Sequence, residues 1–238
     1  MRPRPSPTPM RRLGSVLLLA ALAGCASAAR GPAVSDGPPA PPPDAFDPDA
    51  WLVRARAAGG GPEADLDDRR LDAARALSAE LDAAVGWSAA CDRSWDPERG
   101  EMVVDDAGAG WTRGTFSVHD LPGGAVVAVT CDFGAYQGTY ALVSLTDGRT
   151  ALLAGQGVDL EGAPFGPPTA VYATPAFDGS ARFQTFGRAR GLGYCGILST
   201  YEIAGPDAAT LVEARARDCE GDPDRAGPPE GWPVVYRR

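Results

Sequence analysis

From Trp87 onward the apolar residues tend to fall at every second position, and this pattern limits the fold more than any other feature of the chain. Short runs rich in Val, Thr, Tyr and Phe alternate with Gly, Pro and Asp clusters, as strands alternate with turns. The pattern predicts strands near 101–105, 113–118, 124–131, 139–146, 150–154, 169–173, 181–187, 195–203, 209–217 and 233–236. No segment between them is long and periodic enough to be a crossover helix, so neighbouring strands should run antiparallel. Thr146-Asp147-Gly148-Arg149 carries an Asp-Gly hairpin signal, and Gly205-Pro206-Asp207 marks another turn. Ile197, Ser199, Tyr201 and Ile203 face one way, opposite Leu198, Thr200 and Glu202; Val212, Ala214 and Ala216 oppose Glu213, Arg215 and Arg217. Such alternation suits a sheet with one face on a core and one in water. The expected class is mainly β, an antiparallel sandwich or barrel-like meander with one or two N-terminal helices.

The helices precede the strands. Asp47-Pro48 reads as an N-cap followed by Pro at the first helical position, opening a short helix that runs to Ala58. After Gly59-Gly60-Gly61, Pro62 opens a longer one whose first turns carry Glu63, Asp65, Asp67 and Asp68, as the helix dipole favours. Leu66, Leu77, Leu81 and Val85, with Ala73, Ala74 and Ala84, form an apolar stripe, and Gly86 is a natural stop. Ahead of these helices, Ala, Gly and Pro dominate residues 26 to about 47, where Pro38-Pro39-Ala40-Pro41-Pro42-Pro43 favours stiff polyproline II. Such a segment cannot bury enough apolar surface to fold.

The N-terminus reads as an export signal. Arg2, Arg4, Arg11 and Arg12 form a basic start, and the apolar run Leu13 to Ala23 is about half the roughly 20 residues a spanning helix needs. The run closes on Leu22-Ala23-Gly24-Cys25, which resembles the lipidation site of bacterial lipoproteins. That resemblance implies a diacylglycerol thioether on Cys25, cleavage before it, acylation of the new amine and hence stable attachment to the membrane. Ala26 is not the Asp that typically retains such proteins at the inner membrane, so the resemblance implies an outer-membrane lipoprotein facing the periplasm of the cell envelope. The expected organisation is a leader over 1–24, a tether over 25–47, a helical segment over 48–86 packing on the sheet, and a β domain over 87–238.

Charge narrows the partners. All basic residues are arginine, and removing residues 1–24 leaves 18 against 31 acids, a net charge of −13. Nucleic acid, which needs a basic patch, is disfavoured, as is further electrostatic binding to anionic lipid. Four cysteines remain beyond Cys25, an even number that in an exported chain reads as disulfides. A hairpin centred near Pro206 puts position 195 opposite 217, within a residue or two of bringing Cys195 to Cys219; Cys91–Cys131 follows by elimination. Neither the cysteine spacing nor the lone His119 suits a zinc site, and no cofactor is expected.

Several segments resemble a bacterial envelope family called domain of unknown function 1176. They are Gly134-Ala135-Tyr136-Gln137-Gly138-Thr139-Tyr140 after Cys131, Thr174-Pro175-Ala176-Phe177-Asp178, Gly191-Leu192-Gly193-Tyr194-Cys195-Gly196, Cys219-Glu220-Gly221 and Trp232-Pro233-Val234-Val235-Tyr236. The resemblance spans roughly 85–238 and implies an exported, Cys-bearing, β-rich protein; it carries no catalytic residue. Tyr194 stands where the family commonly has Asp, and the common Lys before the glycine run is missing around Arg188-Ala189-Arg190.

Catalytic motifs are scarce. There is no G-x-S-x-G, H-E-x-x-H, P-loop or dinucleotide fingerprint. His119 lies near Ser117 and Asp120, but adjacent strand residues point to opposite faces, so His119 and Asp120 should not make a triad contact. Asp105, Asp106, Glu213 and Asp218 are the acids a sugar-active hydrolase could use, and Asp222-Pro223-Asp224 loosely resembles a calcium loop. Arg188 and Arg190 beside the glycine turn, with Tyr136, are candidates for holding a ligand. The leading expectation is a non-catalytic module binding an envelope protein or polysaccharide; the alternative is a carboxylate-dependent hydrolase.

Overall fold

The structure is a computed structural model and describes residues 46–58, 68–96, 98–104, 113–133, 137–189, 193–220 and 227–238. Its first element is the helix α1 (Pro48–Ala58). Asp47 caps it as expected: its carboxylate accepts the N–H groups of Asp49 and Ala50, both at 3.0 Å. The second helix, α2 (Asp68–Val85), turns Ala74, Leu77, Ser78 and Leu81 inward; Ala73 and Ala84, placed on the stripe by sequence, are exposed. Leu66 lies outside the described residues. Gly86 ends α2 with φ 67, and Asp82 accepts the Ser88 N–H at 2.8 Å and hydroxyl at 2.7 Å. A third helix, α3 (Trp87–Cys91), therefore occupies the point where the strand period was expected to begin.

The strands follow in a fixed order. A hairpin, β1 (Arg93–Asp96) and β2 (Glu101–Val104), stands as its own two-stranded sheet. Next come β3 (Phe116–Leu121), β4 (Gly124–Phe133), β5 (Gly138–Thr146) and β6 (Arg149–Leu152), which pair in sequence. Asp147 (φ 53) and Gly148 (φ 68) form the β5–β6 turn with the left-handed backbone an Asp-Gly hairpin uses. At Leu153, fully buried, the chain leaves this sheet for β7 (Ala154–Val158) and β8 (Pro164–Thr169). It returns through β9 (Val171–Ala173), which pairs β5 beside β6 and completes five strands. Then β10 (Pro175–Phe177), β11 (Arg182–Arg188), β12 (Gly196–Ile203), β13 (Ala208–Arg217) and β14 (Val234–Arg237) join β7 and β8 in a seven-stranded sheet.

These layers define a mainly β fold: helices, then the five-stranded sheet, then the seven-stranded sheet. Among the described residues neither sheet closes on itself, so the sandwich arrangement holds and the barrel does not. Every described strand pair is antiparallel except β7 with β13, which run parallel over Ala154–Gly155 and Ala208–Ala209. That exception follows from the strand switch at Leu153, which delivers β7 to the second sheet without a hairpin.

Alternation along β4 and β5 sorts two cores. Ala125, Val127, Val129, Ala141, Val143 and Leu145 face the helices and pack on Trp51, Leu77, Leu81 and Trp87. Both indole N–H groups donate to carbonyls of α2, Trp51 to Leu77 and Trp87 to Ser78, each at 2.9 Å. Val126, Ala128, Tyr140 and Leu142 face the other way, onto Tyr172, Phe183, Tyr201, Leu211 and Ala214. A central strand buried on both faces reads as a continuous apolar run, as Ala125–Val129 does. Among the described residues no helix is long and apolar enough to cross a membrane.

Both expected disulfides are present. Cys195–Cys219 spans the open end of the β12–β13 hairpin with Cα atoms 5.1 Å apart, and Cys91–Cys131 joins α3 to β4 at 5.3 Å. Cys131 sits where the β4–β5 register shifts between Thr130 and Asp132, and it faces the helical layer. The β12–β13 register shifts as well, between Thr200 and Tyr201, with Val212 as the extra residue. This bulge corrects the expected facing of β13: Ala209 and Leu211 lie inward on one side of it, Ala214 and Ala216 on the other, and Val212 is only half-buried.

Candidate functional site

The outer face of the seven-stranded sheet carries the polar chemistry. In β11, Phe183 and Thr185 are buried inward, so Arg182, Gln184, Phe186 and Arg188 project outward. Register then sets each beside a partner. Arg182 meets Glu202 at 3.3 Å, and Gln184 donates its amide N–H to the Thr200 hydroxyl at 3.2 Å. One strand on, Glu213 lies between two guanidinium groups, Arg237 at 2.6 Å and Arg215 at 2.7 Å. These bonds, Arg237 first and Arg215 next, hold the Glu213 carboxyl below its usual range.

An aromatic corner adjoins this row. Arg188 places its guanidinium 5.9 Å from the centre of the Phe186 ring, which meets Trp232 edge-on at 5.7 Å. Arg215 donates to the Trp232 carbonyl at 3.1 Å and fixes the 3-10 turn Pro229–Gly231 against the sheet. At the far end of the same face lies a concavity of about 320 Å³, floored by Ala176, Gln184 and Thr200 and rimmed by Asp178 and Arg182. Ala176 opens it, because the small side chain faces Gln184 across the β10–β11 pair.

Two of the segments singled out by sequence, around Gln137 and Gly196, approach the Arg188 end of β11. The Arg188 backbone N–H donates to the Gln137 side-chain carbonyl at 2.8 Å. Gly196, with φ 142, passes so close to β11 that a Cβ there would stand 2.1 Å from the Gly187 carbonyl oxygen. Tyr140, in the same motif as Gln137, is buried, with its ring over Gly138. Of the candidate ligand residues, Arg188 is exposed on the outer face, whereas Tyr136 and Arg190 lie outside the described residues, as does Cys25.

His119 does touch Ser117, Nε2 to Oγ at 2.8 Å, because residues two apart on β3 share a face. Its ring, however, is stacked on Phe177 at 4.2 Å, between the two sheets. Asp120 points the other way and pairs with Arg56, so the expected separation of His119 from Asp120 holds. Burial lowers the His119 pKa, and the nearby Asp120 charge opposes that shift. Glu213, fixed between two arginines, is the reverse of a proton-donating acid, whose pKa must be raised. Asp218 accepts the Glu220 N–H in its own turn at 3.1 Å. Asp105, Asp106, Asp222 and Asp224 lie outside the described residues, and no metal-holding cluster of His, Cys, Asp or Glu occurs among the described ones.

Sequence reasoning missed Gln184 and Thr200. Each lies between two buried residues, Phe183 and Thr185 or Ser199 and Tyr201, of which one is polar, and their pairing depends on the β11–β12 register. Fold and face together define a disulfide-linked, helix-covered β-sandwich with one polar sheet surface. Comparison with known proteins finds no matching family, no matching curated relative and no matching solved structure.

Proposed function

We propose that this chain is an exported, lipid-anchored envelope protein, and that it is a non-catalytic module binding envelope polysaccharide through the outer face of its seven-stranded sheet. The observation that carries the binding reading is the Gln184–Thr200 row beside the 320 Å³ concavity. Amide, hydroxyl and paired charges of both signs there suit a ligand rich in hydroxyl groups better than one of a single charge. Phe186, partly exposed and backed by the buried Trp232 ring, gives a sugar ring an apolar edge at the other end. The two disulfides support the export reading, since such bonds persist in oxidising compartments. The resemblance to the envelope family points the same way, as does the Cys25 leader.

The test is sedimentation with purified envelope polysaccharide, comparing the native chain with Gln184→Ala and Thr200→Val. Both side chains are on the surface, so the variants should fold. Binding weakened by either change supports the reading; equal binding by all three, or none by the native chain, contradicts it.

A further inference from the structure

A second surface lies where the edge of β13 divides. β13 pairs with β7 in parallel at Ala208–Ala209 and with β14 in antiparallel fashion at Glu213–Arg215. Between these pairings β7 and β14 part, and a groove of about 510 Å³ opens over Thr210 and Leu211. Its size lies within the roughly 300–1,000 Å³ of small-ligand sites. The walls are mostly apolar: Val158 on β7, Pro164 and Pro168 on β8, Tyr236 on β14. Two buried tyrosines hold β7 in place from beneath, Tyr172 donating to the Leu153 carbonyl at 2.9 Å and Tyr201 to the Gln156 carbonyl at 3.3 Å.

The groove has opposite charges toward its two ends. Asp207 lines it where β13 begins, and Arg238 lines it where its backbone N–H donates to the Val212 carbonyl at 3.1 Å. Asp207 and Val212 are five positions apart, about 16 Å along a strand. Both charged residues are exposed. We propose that this groove binds a short apolar peptide of about three to five residues by its free ends, the length set by an extended rise near 3.3 Å per residue. The ammonium group faces Asp207 and the carboxylate faces Arg238, so the peptide runs parallel to β13 and continues the direction of β7. Small apolar side chains fill the space between Leu211 and the walls. This site is separate from the polysaccharide face and stands or falls independently of it.

Calorimetry with tetra-alanine and with its N-acetylated and C-amidated forms tests the proposal. Free tetra-alanine should bind, and either cap should weaken it by about two- to fivefold, as loss of one exposed ion pair does. Asp207→Asn should remove the effect of the acetyl cap and Arg238→Gln the effect of the amide cap, with unchanged thermal melting as the folding control. Asp207→Arg should reverse the preference toward the acetylated peptide. Indifference to capping, failure of the free peptide to bind, or tighter binding of dodecanoate than of peptide would overturn it.

Discussion

Gln137 and Arg188 stand 51 residues apart and are joined by a hydrogen bond of 2.8 Å, the Gln137 side-chain carbonyl accepting the Arg188 backbone N–H. The bond ties the start of β5 in one sheet to the end of β11 in the other. It therefore positions the exposed Arg188 side chain relative to the first sheet. Gln137→Ala should lower stability by about 1 kcal/mol, the usual net worth of one such bond. Urea denaturation measures it, and an unchanged midpoint would remove this tie from the account.

His119 makes stability depend on pH. Its folded pKa lies below the ordinary 6.5, so the unfolded chain binds the proton more readily. The contribution is complete above the unfolded value and is lost as pH falls through it toward the folded pKa. The native chain should thus lose more stability between neutral pH and pH 5 than His119→Gln does. Parallel losses in the two proteins would show that the stacked ring on Phe177 titrates normally.

Ser78 offers a gain. Its hydroxyl is buried and has no hydrogen-bond partner among the described residues. An unsatisfied buried polar group costs about 1–3 kcal/mol, and Ala is the better helix former. Ser78→Ala should raise stability by about 1 kcal/mol, read as an upward shift in thermal midpoint. A downward shift would mean that the hydroxyl is bonded.

The disulfides close loops with separations of 40 and 24 residues, each worth about 3–4 kcal/mol by loop entropy. Peptide mapping without reductant should recover Cys91–Cys131 and Cys195–Cys219. Recovery of any crossed pair would contradict the β12–β13 register. Each paired Cys→Ala double variant should unfold at lower denaturant than the native chain.

Local signals made much of this fold legible. The Asp47 cap, the Gly86 stop, the Asp147-Gly148 turn and the Pro206 hairpin all depend on a few adjacent residues, and each lies where the sequence places it. The shortfalls are tertiary. Trp87–Cys91 is too short to show a helical period, and Pro164–Thr169 reads as a loop because its prolines suit only an edge strand. The switch at Leu153 and the bulge at Val212 each reverse which residues face inward, and neither leaves a local mark. For the candidate site, Arg188 was readable as a candidate from its place beside the glycine turn. The Gln184–Thr200 pair and the groove at Leu211 were not, because both arise where strands distant in sequence meet.

The central claim is that the chain is exported and held at a membrane by Cys25. Fractionation of cells making the native chain and Cys25→Ser, with intact mass of the purified product, tests it most directly. We expect a native protein in the membrane fraction, beginning at an acylated Cys25 and carrying oxidised Cys91, Cys131, Cys195 and Cys219, and a Cys25→Ser form released from the membrane. An unprocessed chain in the cytosol with reduced thiols, or a Cys25→Ser form that stays with the membrane, would contradict it.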